Sequence, residues 1–256
     1  MMDYSAQLKT AEAAAREAGL FLKTNFFRSK EVASSSAHDL KLRLDTETQE
    51  LIVARLRRDF PEYAVLGEEG SCGGDKNAPL WVIDPIDGTV NYFYGIPLYC
   101  VSIALSVNGS FVLGCVYDPM QDECFSACVG GPALLNGKAI LVSARTQMRD
   151  AVVFIGHGTH DKSGSAGVAR FAHLSAQVKK IRILGTAALT LCYIAAGRFD
   201  AYVENRINLW DFAAARVILE AAGGSVEYTP SDAAPHSGAI IAWNGRIPIH
   251  QALQMP

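Results

Sequence analysis

A chain of 256 residues, 50% hydrophobic and 19% charged, has enough apolar material for a substantial core, as one large α/β unit or two tightly joined halves. Its formal net charge of −3 gives neither a basic footprint for nucleic acid nor a polybasic reason to sit on a membrane. Apolar runs stay short of the roughly 18 residues that a spanning helix needs, and no leader-like apolar run opens the chain, so a soluble, cytoplasmic protein is expected.

The first element is predicted from Leu8, Ala11, Ala15, Ala18 and Leu22, which recur at helical spacing beside Lys9, Glu12, Arg16 and Glu17. A second helix is predicted to start at a capping box, Thr46-Glu47-Thr48-Gln49, and to end before Pro61. Residues 31–38 between them are short, polar and Ser-rich and read as a surface loop. From residue 64 to about 142 the pattern is strand-like and mostly antiparallel. Leu80-Trp81-Val82-Ile83 suits a buried strand, Val101 to Val107 and Phe111 to Tyr117 flank the hairpin signal Asn108-Gly109, Glu123 to Val129 continues the meander, and Asn136-Gly137 marks another turn.

After about residue 145 strands and helices alternate. Val152 to Ile155 and Ile181 to Leu184 read as strands, Ala187 to Ala196 as a helix closed by Gly197, and 211–222 as another closed by Gly223. Ser225 to Tyr228 and Ala239 to Trp243 read as closing strands. The expected division is 1–145, N-terminal helices plus an antiparallel sheet, and 146–256, an α/β half, sharing one core as one catalytic unit. The six cysteines, Cys72, Cys100, Cys115, Cys124, Cys128 and Cys192, lack paired CxxC spacing and read as reduced, packed small hydrophobes; Cys124 and Cys128 have no second Cys/His pair to complete a soft-metal site.

The chemistry concentrates in Trp81-Val82-Ile83-Asp84-Pro85-Ile86-Asp87-Gly88-Thr89. A buried strand delivers Asp84, Pro85 keeps the strand from continuing in its ladder, and Gly88 permits a tight turn that brings Asp87 back near Asp84. A helix starting at Thr89 would aim free N–H groups at the same point, which suits a phosphate. Alone, this DxxD would be two acids decorating a turn. Leu66-Gly67-Glu68-Glu69-Gly70, after another short strand, adds two carboxylates, and such a set converges stably only around a cation. All-oxygen ligands are hard, so Mg²⁺ is expected, with Mn²⁺ or Ca²⁺ as competitors. Farther on, Asp211 of Trp210-Asp211-Phe212 opens an apolar helix, where a helix cap is the simpler role for an isolated Asp.

Taken together, Glu68-Glu69, Asp84 to Asn91, Gly185-Thr186-Ala187-Ala188, Asp200 to Glu204 and Trp210-Asp211 to Gly223-Gly224 resemble, in order, the signatures of the inositol monophosphatase family, over about Asp45 to Trp243. The resemblance implies a layered α/β/α/β/α sandwich of the inositol monophosphatase/fructose bisphosphatase type, an α/β (α+β) fold, often found as a homodimer. It implies Mg²⁺-dependent, lithium-sensitive hydrolysis of a small phosphate monoester by activated water, with myo-inositol 1-phosphate the leading substrate. Glu68, Asp84 and the Ile86 carbonyl correspond to ligands of one Mg²⁺; Asp84, Asp87 and Asp211 to those of a second; Glu68 and Glu69 to contacts of a third ion or its waters. Two to three ions are thus implied, with Mn²⁺ a substitute and Ca²⁺ and Li⁺ inhibitory. Thr89, with Asp45 as its carboxylate partner, corresponds to the hydroxyl that orients the water, and Glu69 is counted with the catalytic groups. Gly88 and Thr89 N–H groups would hold phosphate, while Ala187 and Glu204 would meet the substrate's hydroxyls. Gly70 stands where many relatives carry Ser, and Ser29 to His38 is not recognisably theirs.

Other phosphate devices fail. Gly131 to Lys138 misses the Walker spacing, with Pro132 inside and Ala139 after the Lys, and Gly156-His157-Gly158 lacks the third glycine of a dinucleotide fingerprint. His157 and His160 read as loop residues and Tyr92, Phe93 and Tyr94 as core aromatics. Open alternatives are a phosphatase for fructose 1,6-bisphosphate or another sugar phosphate, for histidinol phosphate or for a nucleotide 3'-phosphate, and a regulatory binding protein of the same fold. Val90-Asn91-Tyr92 after Gly88-Thr89 resembles the inositol branch.

Overall fold

The computed structural model describes residues 3–35, 40–72, 78–156 and 164–254. His157 and His160 lie outside these. Helix α1 (Ser5–Asn25) buries Ala11, Ala15, Ala18 and Leu22, as the periodicity predicts. A small antiparallel pair follows, β1 (Val32–Ser35) and β2 (Leu40–Leu42), where only a loop is expected. Helix α2 (Arg43–Asp59) starts three residues earlier than predicted. Its cap is made by Asp45, whose Oδ2 accepts the Leu42 N–H at 2.7 Å, so Thr46 to Gln49 are interior.

The first sheet runs from β3 (Ala64–Gly67), β4 (Gly70–Cys72) and β5 (Leu80–Asp87) through a short helix α3 (Thr89–Phe93) to β6 (Cys100–Val107), β7 (Ser110–Asp118), β8 (Glu123–Cys128), β9 (Leu134–Leu135) and β10 (Lys138–Ala139). Spatial order is β10-β9-β8-β7-β6-β5-β3-β4, antiparallel except for the parallel pair β3–β5. Asn108 and Gly109, with φ of 51° and 77°, make the predicted β6–β7 turn. The second half contains β11 (Val152–Ile155), α4 (Gly164–Ser175), β12 (Lys180–Arg182), α5 (Ala187–Ala195), β13 (Ala201–Asn208), α6 (Leu209–Ala221), β14 (Ser225–Pro230), β15 (Ser237–Trp243) and α7 (Ile249–Leu253). Its sheet order is β12-β11-β13-β15-β14. Strand β12 ends at Arg182, which frees Ile183 and Leu184 from the predicted strand for a turn at Gly185 (φ 74°).

Period-two alternation explains the layering. Trp81, Ile83, Val101, Ile103 and Leu105 face α1 and α2, whereas Val82, Cys100 and Ala104 face α5 and α6. The same inner core takes in Phe154, Tyr202 and Ile240 of the second sheet, so apolar packing is continuous from one sheet to the other. Gly114 lets α6 approach closely, because a Cβ there would collide with the Ala214 backbone. Outside the second sheet, Val153 and Val203 pack with Ile249 of α7. The result is the expected five-layer α/β/α/β/α sandwich, with α5 and α6 held between the sheets.

Candidate active site

Parallel pairing of β3 with β5 delivers both strand ends to one edge: the turn Glu68–Glu69 and the segment Asp84 to Asp87. There the chain corrects one expectation. Pro85 does not end the strand. Pairing with β6 passes from Asp84–Ser102 to Asp87–Cys100 across a bulge, and the ladder resumes. A proline withholds one N–H, which a bulge accommodates, and the bulge re-aims the flanking side chains.

Asp84 and Asp87 are both buried. Asp84 Oδ1 accepts the Ile86 N–H at 3.0 Å, and its carboxyl lies well above the ordinary carboxylate range. Burial is the main cause, followed by the charges of Glu68, Asp87, Asp211 and Asp45. Asp87 receives the Thr186 hydroxyl at 2.5 Å and the Ala188 and Ala187 N–H groups at 2.7 and 3.3 Å, at the start of α5. Burial still pushes its pKa up against these bonds. Asp211 sits in the first turn of α6, three residues past Asn208, whose N–H it accepts at 2.9 Å. Burial, then Asp87 and Glu68, raise it well above normal. The starts of α5 and α6, in the layer between the sheets, thus bear on Asp87 and Asp211.

Thr89 follows Gly88, whose left-handed φ of 98° and tight setting (a Cβ would sit 3.0 Å from the Leu98 carbonyl) leave room for glycine alone. The Thr89 Oγ1 lies 3.1 Å from Asp45 Oδ1 and 2.9 Å from the Ile86 carbonyl, and its one proton serves either acceptor. Burial pushes the Asp45 carboxyl up to about 6, against the Leu42 and Thr89 hydrogen bonds that lower it. Glu69 is placed differently from the other acids: its Oε1 pairs with Lys41 Nζ at 2.8 Å, and its N–H donates to Gln49 Oε1 at 3.0 Å.

Next to the acids lies a cavity of about 240 Å³ lined by Asp87, Asp211, Ala187, Tyr202 and Glu204 together with the apolar Ile155 and Ile183. Burial raises the Glu204 carboxyl to about 7, although the Tyr202 hydroxyl that donates to its Oε2 acts to lower it.

Of the predicted site residues, Asp87, Asp211, Ala187 and Glu204 line this cavity; Glu68, Asp87, Asp211 and Asp45 bear electrostatically on Asp84, and Thr89 is bonded to Asp45, which Glu69 also affects. Sequence reasoning passed over four others. Gln49, taken for part of a cap, holds the Glu68–Glu69 turn; Asn91 donates to the Leu98 and Leu184 carbonyls at 2.9 and 2.7 Å, tying the Gly88 turn to the Gly185 turn. Thr186 caps α5 and bonds Asp87, a role that a Thr directly before an apolar helix signals. Lys41 carried no signal.

The donor set suits a hard divalent cation. All its members are oxygens, and the charged groups that bear on Asp84 are other acids. Among the described residues no three acid, His or Cys side chains close on one another at ion-binding range.

Fold and site together define a phosphoric monoester hydrolase. The family model of the inositol monophosphatase family matches residues 3–251, and the chain belongs to that family. It is 38% identical over 251 residues to the Nus factor SuhB of Xylella fastidiosa, covering 94% of this chain and 90% of that protein. It is also 38% identical to the inositol monophosphatase of Dictyostelium discoideum, covering 86% and 83%. Among solved structures, the extragenic suppressor protein suhB of Bartonella henselae superposes with a TM-score of 0.91 at 33% identity, covering 98% and 99%. The described helices include none long and apolar enough to cross a membrane.

Proposed function

We propose that this chain hydrolyses a small polyol phosphate, myo-inositol 1-phosphate first among candidates, to the free polyol and phosphate. The observation that carries the reading is the electrostatic setting of Asp84, a buried acid surrounded by acids. Glu68, Asp84 and the Ile86 carbonyl would hold one Mg²⁺, and Asp84, Asp87 and Asp211 a second. A third, contacted by Glu68 and Glu69, is the weakest, because Glu69 already has Lys41. Bound Mg²⁺ supplies the positive charge that offsets acids and phosphate and makes water a better nucleophile.

The protein's own groups do the remaining work. Gly88 and Thr89 offer backbone N–H groups to the phosphate. A Thr hydroxyl is too weak a base to act alone, but with its proton held by Asp45 its oxygen presents a lone pair that orients the attacking water. The new bond joins that water's oxygen to phosphorus, the ester P–O bond breaks, and the leaving oxygen takes a proton, with no covalent phosphoenzyme. Ala187 and Glu204 face the polyol, Glu204 as acceptor for a hydroxyl. Both halves contribute, since Asp211 comes from one and Asp84 from the other, so we treat 1–145 and 146–256 as one catalytic unit. A cytoplasmic homodimer that Li⁺ and Ca²⁺ inhibit completes the proposal.

Release of phosphate from a panel of esters, with Mg²⁺ and with chelator, tests it. Turnover of myo-inositol 1-phosphate only with Mg²⁺ is expected; preference for fructose 1,6-bisphosphate, histidinol phosphate or a nucleotide 3'-phosphate would reassign the substrate. The likeness to a protein named Nus factor SuhB favours a second reading, a regulatory partner of the same fold. Absence of turnover on every ester would favour it.

A further inference from the structure

Glu204 is held by a cradle made for it. On β13, Tyr202 and Glu204 are two residues apart and share a face, and the Tyr202 hydroxyl donates to Glu204 Oε2. Tyr202 is itself buried, locked between the two sheets. Its neighbour across the parallel ladder is Phe154, so the next residue on that face of β11's extension is Gly156. The Gly156 N–H donates to the Val203 carbonyl at 2.9 Å, which fixes its backbone beside the pair. A Cβ on Gly156 would stand 2.6 Å from the Tyr202 hydroxyl and closer still to Glu204 Oε2. Gly156 shows no positive φ, so the turn's conformation does not demand glycine there. What demands it is the space occupied by the carboxylate. On the other side of Glu204, β13 and β15 lose register between Glu204 and Ile207, a bulge that aims the Glu204 side chain independently of the strand beyond.

We propose that Gly156 and Tyr202 are positioning residues for substrate selection: together they set the place and orientation of the Glu204 carboxylate, and so the preference for a hydroxyl-bearing leaving group. This rests on the reading of Glu204 as the acceptor for a substrate hydroxyl. The Glu204 carboxylate, with one oxygen committed to Tyr202, lines the same cavity as the apolar Ile155 and Ile183, the latter 60% exposed. That combination takes a compact ring with hydroxyls on one edge and C–H groups on a face. The Asp84 and Thr89 groups that act on the phosphate lie outside the cradle.

The test compares two esters with Mg²⁺ present: myo-inositol 1-phosphate, rich in hydroxyls, and p-nitrophenyl phosphate, with none on its leaving group. Tyr202→Phe and Gly156→Ala are expected to raise KM for the inositol ester about tenfold, the loss typical of one hydrogen bond to a charged group, and to change kcat/KM for the nitrophenyl ester far less. Thermal unfolding identifies any variant that fails to fold, and Tyr202→Phe, which removes one oxygen, is the milder of the two. Equal losses on both esters, or no loss on either, overturns the proposal. A second measurement stands apart from turnover: ¹³C NMR of the Glu204 carboxyl should show its titration move upward in Tyr202→Phe, because the lost hydrogen bond acts to lower it. An unmoved titration also overturns it. If wild type cleaves neither ester, the polyol phosphatase reading fails while the NMR result still decides the cradle.

Discussion

Asp84 and Asp200 are the same residue type at nearly the same burial, 2% and 0% exposed, in opposite surroundings. Asp200, just before β13, accepts Arg145 Nε at 2.7 and 2.9 Å, the Ser143 hydroxyl at 2.6 Å and the Val152 N–H at 2.8 Å. Asn244 closes the network by donating to Ser143 Oγ at 2.9 Å. Asp84 has the Ile86 N–H and a ring of acids. The chain therefore can neutralise a buried carboxylate fully where it needs one for stability. Where it withholds that neutralisation, the missing charge is left for a ligand, and the difference separates a structural acid from a functional one better than burial does.

The sharpest way to break this comparison is to remove each charge. Asp84→Asn should lower kcat about a thousandfold, since the proposed shared ligand of two ions goes, while the metal-free protein keeps or gains stability because a repelling buried charge has gone. Thermal melts with and without Mg²⁺ check the second half: wild type should rise with Mg²⁺ and the variant should not. More than a tenth of wild-type activity would reject Asp84 as a shared ligand. Asp200→Ala should do the reverse, losing about 3 kcal/mol of unfolding free energy by stranding its donors, with kcat per folded molecule unchanged. Denaturant titration beside turnover measures both.

Thr89→Ala refines the functional side. It should lower kcat about a hundredfold, the range of positioned proton-handling groups, yet leave the Mg²⁺-induced rise in melting temperature intact. Loss of that rise would make Thr89 a support for the ions rather than the group that orients water.

The acid set was legible in the sequence because its members stand at strand ends and helix starts, where apolar runs stop at an Asp or Glu: Ile83-Asp84, Gly67-Glu68 and Trp210-Asp211. The period-two and helical patterns likewise foretold the β6–β7 hairpin, α1 and the helices before Gly197 and Gly223. The start of α2 was misplaced because Thr46 to Gln49 satisfies the local capping pattern, while the observed cap is Asp45, drawn to Leu42 and Thr89 at once. The strand β13 and the ladder across Pro85 depend on partners elsewhere in the chain, which local periodicity does not report. Lys41 illustrates the remaining gap: a Lys between Leu40 and Leu42 becomes meaningful only when the fold sets it against Glu69.

That pair gives the smallest expected effect and places Glu69 between the two extremes of buried acid. Like Asp200 it has a protein cation, at 2.8 Å, and like Asp84 it borders the acidic cleft, contributing to the raised pKa of Asp45. Lys41 is 35% exposed, so the ion pair is worth no more than about 1 kcal/mol, too little to exclude a divalent ion but enough to compete with it. Lys41→Met should therefore tighten the weakest Mn²⁺ site about fivefold, the size of such a surface pair, without altering the stronger ones. Electron paramagnetic resonance titration of bound Mn²⁺ resolves the sites directly. Unchanged affinities throughout would mean that Glu69 belongs with Asp200, an acid satisfied by its own chain, and that two ions complete the centre.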